Sequence, residues 1–359
     1  MKKLLTIISF VLITCLVLCI GVQYAIWRFD LFEEDEPVLG TDPPLTLHFI
    51  DVGQGDCTLI ESQGHYALID AGEYSERKKV MKYLTEEGVE SLDFIISTHP
   101  HSDHCGGLSE VIRRYNPPFM LSPNADSDSP SWEYVLDAAD ERGVEYITPE
   151  PYDTYQIGAA TLTILSPSSD AVYSNLNNYS IVSMVEYEDS SFLITGDAEY
   201  LVENELMRSG YDLSADVLRC GHHGSSSSTN ERFVKAVDPD AAIISCGKDN
   251  DYGHPHMETI TVLNKYQIPI WRTDEDSNII AETDGKEIYI YSKDEEADVE
   301  TDTVDINYKG YIGNKSSKIY HMPYCGSVSE MYQKNKVYFH TKEDAENSGY
   351  NPCGSCKPY

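Results

Sequence analysis

Positive charge is scarce in this chain. Across 359 residues, 26 lysines and arginines face 60 aspartates and glutamates, giving a formal net charge of −34. No basic stripe interrupts that excess. Broad electrostatic capture of nucleic acid is therefore excluded, because contact with a phosphate backbone draws on clustered Lys and Arg. Cysteine is not rare (nine residues) but it forms no framework. Cys57, Cys105, Cys220 and Cys246 are scattered singly and read as small buried apolar residues. Cys15 and Cys19 lie in an apolar N-terminal segment, and Cys325, Cys353 and Cys356 gather near the other end.

Long apolar runs are also lacking, with one exception. Leu4 to Trp27 is long enough to cross a ~30 Å hydrocarbon layer at ~1.5 Å per residue. Leu18 and Thr14 precede its two cysteines, so neither carries the small residue that lipoprotein processing requires, and no small-x-small cleavage site follows. Residues 1–29 are thus expected to be an uncleaved signal anchor. Lys2-Lys3 before the span and Glu33-Glu34-Asp35-Glu36 after it set the N-terminus inside and the body outside: a single-pass protein of the cell membrane with an extracellular body. Residues 30–44, with three prolines and no apolar period, read as a tether. A single span cannot build a pore.

What is present begins with Thr98–Gly107, THPHSDHCGG, directly after the apolar run Phe94-Ile95-Ile96. His99, His101, Asp103 and His104 fall within six residues in a chain holding only 11 histidines, which argues against an incidental polar loop. Imidazoles suit zinc, iron or manganese, and a carboxylate can hold a second ion or orient a bound water. Around this motif the pattern alternates. Strands are expected at 45–51, 57–61, 66–70, 94–97, 160–165, 181–187, 192–195, 217–218 and 242–245, and helices at 77–87, 107–115, 134–140, 201–208, 231–237 and 258–266. A closing hairpin spans 278–291. Periodicity alone supports only mixed α and β.

HxHxDH after an apolar strand resembles the signature of the metallo-β-lactamase fold. Asp70 in ALIDAG and Asp197 in FLITGDAE stand where that family has its first acidic residue and its metal-bridging carboxylate. HFIDVGQGDCTLI (48–60), NNYSIVSMV (177–185), GHHGSSSS (221–228) and ISCGKDNDYGHPH (244–256) are similar to the extracellular hydrolase domain of the ComEC family of DNA-uptake competence proteins. The resemblance implies an α+β, four-layer α/β/β/α sandwich over residues 45–293, preceded by one transmembrane anchor and followed by a small zinc-binding domain. It also implies one or two divalent ions (Zn or Mn), with His99 and His101 on one, Asp103 and His104 on the other, and Asp197 between them. Many superfamily members add a histidine where this chain has Asn177-Asn178. Final-histidine placement in the superfamily favours His254 as the late ligand. His222 and His223 then either face the substrate or fill the gap at Asn178. His222 is counted with the metal ligands, and Asp103 and His223 with the catalytic groups. Asp51, Asp56, Asp70 and Asn178 are expected behind the ligands. Ser225–Ser228 read either as phosphate donors or as a plain turn, and His256 as a solvated surface residue.

Residues 294–308, an acidic run without a core pattern, read as a linker to a final segment, 309–359. There His321-x₃-Cys325 and Cys353-x₂-Cys356 supply two closely spaced pairs fit for a tetrahedral structural zinc. The segment resembles the zinc-binding module of Ada-type repair proteins, with His321 where those have a methyl-accepting cysteine, so methyl transfer is not expected. The alternatives are a disulfide plus a thiol, or His340 as fourth ligand.

Three functions compete. One is a membrane-anchored extracellular phosphodiesterase or DNase, whose partners are a phosphodiester substrate and the membrane. Another is a hydrolase of a small ester, lactone or amide, favoured by the acidic surface. The third is a non-catalytic scaffold, against which the intact HxHxDH and Asp197 argue. No protein partner is predictable.

Overall fold

The computed structural model describes residues 43–293, 304–305, 311–322, 325–329, 331, 335–339, 341–354 and 356. The expected anchor, nearly all of the tether, most of the linker, and His340 lie outside the described residues. Among the described residues no helix is long and apolar enough to cross a membrane.

Two sheets carry the main body. The first runs in the order β16-β15-β14-β1-β2-β3-β4-β5-β6, where β1 is Leu45–Phe49, β2 Thr58–Ser62, β3 His65–Ile69, β4 Phe94–Ile96, β5 Phe119–Leu121, β6 Glu145–Ile147, β14 Asn278–Thr283, β15 Ile288–Lys293 and β16 Val304–Asp305. The second runs β13-β12-β11-β10-β9-β8-β7, with β7 Thr154–Ile157, β8 Ala160–Ser166, β9 Val182–Tyr187, β10 Ser190–Ile194, β11 Val217–Arg219, β12 Ala241–Ile244 and β13 Ile270–Arg272. The register β3-β4-β5-β6 is parallel, as is β10-β11-β12-β13.

Side-chain alternation builds the layers. Ala67 and Ile69 of β3 join Phe94 and Ile96 of β4 in a core between the sheets, where they meet Leu162, Ile164, Phe192 and Ile194. The intervening Leu68 and Ile95 point outward to a second core under the helices Arg77–Glu86, Leu108–Tyr115 and Pro130–Arg142. Leu193, Leu218, Ala242 and Ile244 do the same beneath Tyr200–Ser209, Glu231–Val237 and Met257–Lys265. A period of two with both faces apolar is what a sheet covered on each side requires. The order helix, sheet, sheet, helix follows.

Four departures from the expected elements stand out. The three-residue strands β5, β6 and β13, and the four-residue β7, pair in the sheets although the sequence pattern did not mark them. Ser102–Cys105 is a short helical turn, so Asp103 and His104 sit on a helix and not on a loop. The helix expected at 134–140 extends over Pro130–Arg142. Val304–Asp305, inside the expected linker, pairs with Tyr289 and Ile290 of β15.

The C-terminal residues form a separate four-stranded sheet of order β19-β17-β18-β20, from β17 Tyr311–Asn314, β18 Ile319–His321, β19 Lys336–Phe339 and β20 Asn351–Pro352. Thr341 caps the helix Lys342–Asn347 in a reciprocal capping box with Asp344.

Candidate metal centre

The chemistry-bearing residues lie where parallel strands end. Ligand sites in open α/β sheets gather at the carboxyl ends of the strands. Thr98–His104 follows β4, Asp197 follows β10, His222–His223 follow β11 and Ser245 follows β12. The β1–β2 turn closes the floor: a Cβ at Gly55 would sit 2.4 Å from the Asp103 carbonyl oxygen, so only glycine lets this turn reach the metal loop.

Two donor groups share one carboxylate. His99, His101 and Asp197 form the first, and Asp56, His104, Asp197 and His223 the second, with the donor atoms of each within 4.8 Å of one another. His99 Nε2 is 2.9 Å from His101 Nδ1 and 3.9 Å from Asp197 Oδ2. His104 Nε2 is 3.2 Å from Asp197 Oδ1. His223 Nε2 is 3.2 Å from Asp103 Oδ2 and 3.6 Å from Asp197 Oδ1. Donors about 2.1 Å from a common ion lie about 3.4 Å apart in a tetrahedron, so these spacings fit divalent cations. His104 Nε2 and Asp197 Oδ1 are buried and form no aligned hydrogen bond among the described residues beyond their 3.2 Å contact with each other, a state that a cation between them would relieve.

In His104, His223 and His99 the other ring nitrogen is engaged. His104 Nδ1 donates to Asp70 Oδ2 at 2.8 Å, and Asp70 in turn accepts from the Thr98 amide (2.8 Å) and hydroxyl (2.6 Å). His223 Nδ1 donates to the Ser245 carbonyl at 2.9 Å. His99 Nδ1 lies 3.2 Å from the Ser180 hydroxyl, which also accepts from the Asp197 amide. Such contacts fix the tautomer and aim the free lone pair inward.

The fields are strong. Burial opposes ionisation of Asp197, yet the imidazoles of His104 and His223 outweigh it and hold its carboxyl well below the usual range. His104 feels the converse: burial lowers it, but Asp197, Asp70 and Asp103 carry it well above an ordinary imidazole. Burial, then the charge of His104, pushes His99 far down. His222 and His223 both occupy the left-handed region (φ 50° and 54°), which side chains with a Cβ rarely adopt. Strain of this kind persists where the surroundings enforce it, and it clusters at functional sites.

The late histidines divide differently from the sequence expectation. His223 is 1% exposed and stands among the donors of the second group. His254 belongs to neither group. Its Nδ1 lies 3.5 Å from Gln54 Nε2 and its ring lies 6.0 Å from that of His223. Burial, then His223 and His222, takes it down to about 4. His222 lies beside the first group, with Nε2 3.7 Å from Asp197 Oδ2. Where the superfamily histidine is missing, Asn177 Nδ2 stands 3.4 Å from the His222 ring nitrogens, while Asn178 and Asn175 hold Glu199, itself 3.6 Å from His222 Nδ1.

Asp56, expected behind the ligands, is within the second group and also pairs with the buried guanidinium of Arg219. Asp51 stays out, accepting from the Gly53 amide and Lys79. Part of the serine run bonds internally: Ser228 donates to Gly221 O, and Ser227 Oγ is 3.0 Å from His222 Nδ1. His256 is not merely solvated. It accepts from the Ser226 amide at 2.9 Å and donates to Tyr252 O at 3.1 Å, tying two loops together. Sequence reasoning missed Arg219, Glu199 and Gln54. An arginine closing the apolar β11 is the one signal that could have been read, since a buried cation needs a buried partner.

In the C-terminal sheet, His321, Cys325, Cys353 and Cys356 converge within 4.8 Å. No disulfide joins the described cysteines. Four soft donors in one small cluster fit zinc.

The comparisons agree with this geometry. Residues 50–248 match the metallo-beta-lactamase superfamily, and residues 300–359 match the metal binding domain of Ada. The chain belongs to the metallo-beta-lactamase superfamily, whose members are generally metal-dependent hydrolases. It is 35% identical over 248 residues to ComE operon protein 3 of Bacillus subtilis, covering 64% of this chain and 32% of that protein. It is 30% identical over 239 residues to Recombination protein 2 of Haemophilus influenzae (64% and 28%) and 28% identical over 226 residues to Competence protein ComA of Neisseria gonorrhoeae (62% and 30%). The chain thus spans about a third of the length of the curated relatives it matches.

Proposed function

We propose that this chain is a metal-dependent phosphodiesterase acting on DNA, anchored through residues 1–29 with its body outside the cell. The observation that carries the hydrolytic reading is the pair of donor groups joined at Asp197. Similarity to competence proteins supports the DNA reading. Divalent cations held there, zinc or manganese, supply Lewis acidity and make water nucleophilic near neutral pH.

The chain's own residues do the rest. Asp70 and the Ser245 carbonyl lock His104 and His223 in the tautomers that leave Nε2 free. To Asp103, whose side chain is 25% exposed while Asp197 is buried, we assign the orientation or deprotonation of the incoming water. The Ada-like module holds its zinc for folding, since so small a segment gains most of its stability from the metal.

The test incubates residues 30–359 with linear DNA and Mn²⁺ or Zn²⁺ beside a His101→Ala control. Cleavage by the wild type and not by the control is expected. No cleavage by either removes the nuclease reading, and hydrolysis of esters or lactones in its place moves the assignment to small substrates.

A further inference from the structure

Next to the candidate metal centre lies a surface that the catalytic reading leaves unused. Tyr252 is 67% exposed, and its ring stacks on His254 with centroids 5.6 Å apart and planes 18° apart. His254 in turn lies 30° from parallel to His223, whose Nε2 enters the second donor group. A ladder of rings therefore leads outward from the second donor group and ends in an aromatic face open to solvent.

That face is held in place. Asn250 Oδ1 accepts from the amides of Tyr252 (3.2 Å) and His254 (3.0 Å), and its amide donates to the carbonyls of Gly247 (2.8 Å) and His254 (2.6 Å). His256 grips the Tyr252 carbonyl from the other side. His254 also lines a cavity of about 470 Å³, within the range of small-ligand sites, together with Lys248, Arg272 and the carboxylates of Asp249, Asp274 and Glu275. Arg272 is already engaged by Asp274 and Glu275. Its charge is spent, and few cations remain to grip a phosphate chain.

We propose that Tyr252 is a stacking platform for an unpaired base of a single-stranded nucleic acid whose phosphodiester lies at the metal centre. The proposal rests on the phosphodiesterase reading and adds how an acidic protein holds such a substrate: by a base face, which carries no charge, and not by its phosphates. Stacking tolerates every base and is lost in a duplex, whose bases already stack on one another, so the site selects one strand without reading sequence.

Fluorescence anisotropy with labelled 12-nucleotide oligomers tests this, comparing base-bearing single strand, abasic single strand and duplex, with cleavage followed separately on gels. The wild type is expected to bind the base-bearing strand more tightly than the abasic one. Tyr252→Ala should weaken base-bearing binding about 5- to 150-fold and erase the preference, whereas Tyr252→Trp and Tyr252→Phe keep it. Equal affinity of the wild type for base-bearing and abasic strands, equal or tighter binding of duplex, binding of no oligomer, or an unchanged preference in Tyr252→Ala each overturns the platform. Binding with the expected preference but without cleavage overturns the phosphodiesterase reading instead.

Discussion

His223 and His254 offer a direct contest, because sequence order favours one and geometry the other. His223 is buried, donates Nδ1–H to Ser245 O and sets Nε2 3.2 and 3.6 Å from two carboxylates. Replacing it with alanine removes a donor from the second group and leaves the Ser245 carbonyl short of its partner. Loss of a group behind a ligand commonly weakens metal binding or activity about 10- to 100-fold. Loss of the donor itself should exceed about 100-fold, or about 2.7 kcal/mol. His254 belongs to neither donor group, and the one side-chain hydrogen-bond contact of its ring among the described residues is Gln54 at 3.5 Å, so His254→Ala should leave affinity for the second cation within about threefold, on the order of 0.5 kcal/mol. The assay titrates each apo variant against a chromogenic chelator and counts bound metal after dialysis, with far-UV circular dichroism as a check on folding. His223→Gln, which keeps much of the volume, guards against simple collapse. Retention of both cations by His223→Ala, or loss of one by His254→Ala, refutes the assignment.

Other perturbations follow from the same geometry. Asp70→Asn puts an amide against His104 Nδ1–H and the Thr98 donors; metal affinity measured with the same chelator should fall about 10- to 100-fold. Cys353→Ser should remove one zinc per chain and melt the C-terminal module, read by metal analysis and limited proteolysis, while the cations of the main site stay bound. Burial raises the Glu203 carboxyl to about 8 despite donors from Thr229 and Asn230. The folded state then binds its proton more tightly than the unfolded chain, so this stability is present below about pH 4.5 and lost as pH rises towards 8. Urea melts across that window should show a decline, at most about 5 kcal/mol from this group, that Glu203→Gln flattens. Binding of single-stranded oligomer should barely weaken between about 50 and 200 mM salt, against the steep loss seen when many phosphates are neutralised by Lys and Arg. A slope equivalent to six or more phosphate contacts contradicts the stacking argument.

Legibility followed period and locality. β3 and β10 could be read because alternate residues serve different cores: Ala67 and Ile69 inward, Leu68 outward. β5, β6 and β13, three residues each, are too short to show a period, and only pairing with a neighbour makes them strands. The site divides in the same way. HxHxDH concentrates its signal in six residues. The inward turn of His223 could not be read along the chain, because it depends on two consecutive left-handed residues, His222 and His223. The ion pair of Asp56 with Arg219 and the hold of Asn178 on Glu199 join distant segments, and no local pattern reports them.

The acidic composition, which first argued against a polyanionic substrate, acts on a different length scale from the site. At physiological ionic strength charges are screened beyond about 8 Å, so most of the −34 slows approach more than it opposes final contact. Inside the centre the balance is local: the carboxylates of Asp56, Asp103 and Asp197 stand against His104, His223 and the divalent cations they fit. Cations held by those carboxylates would reverse the sign of the field that the proposed phosphodiester meets. A protein built this way gains little by adding surface lysines. It gains more from an uncharged contact one ring beyond the imidazoles, and that is where Tyr252 lies exposed.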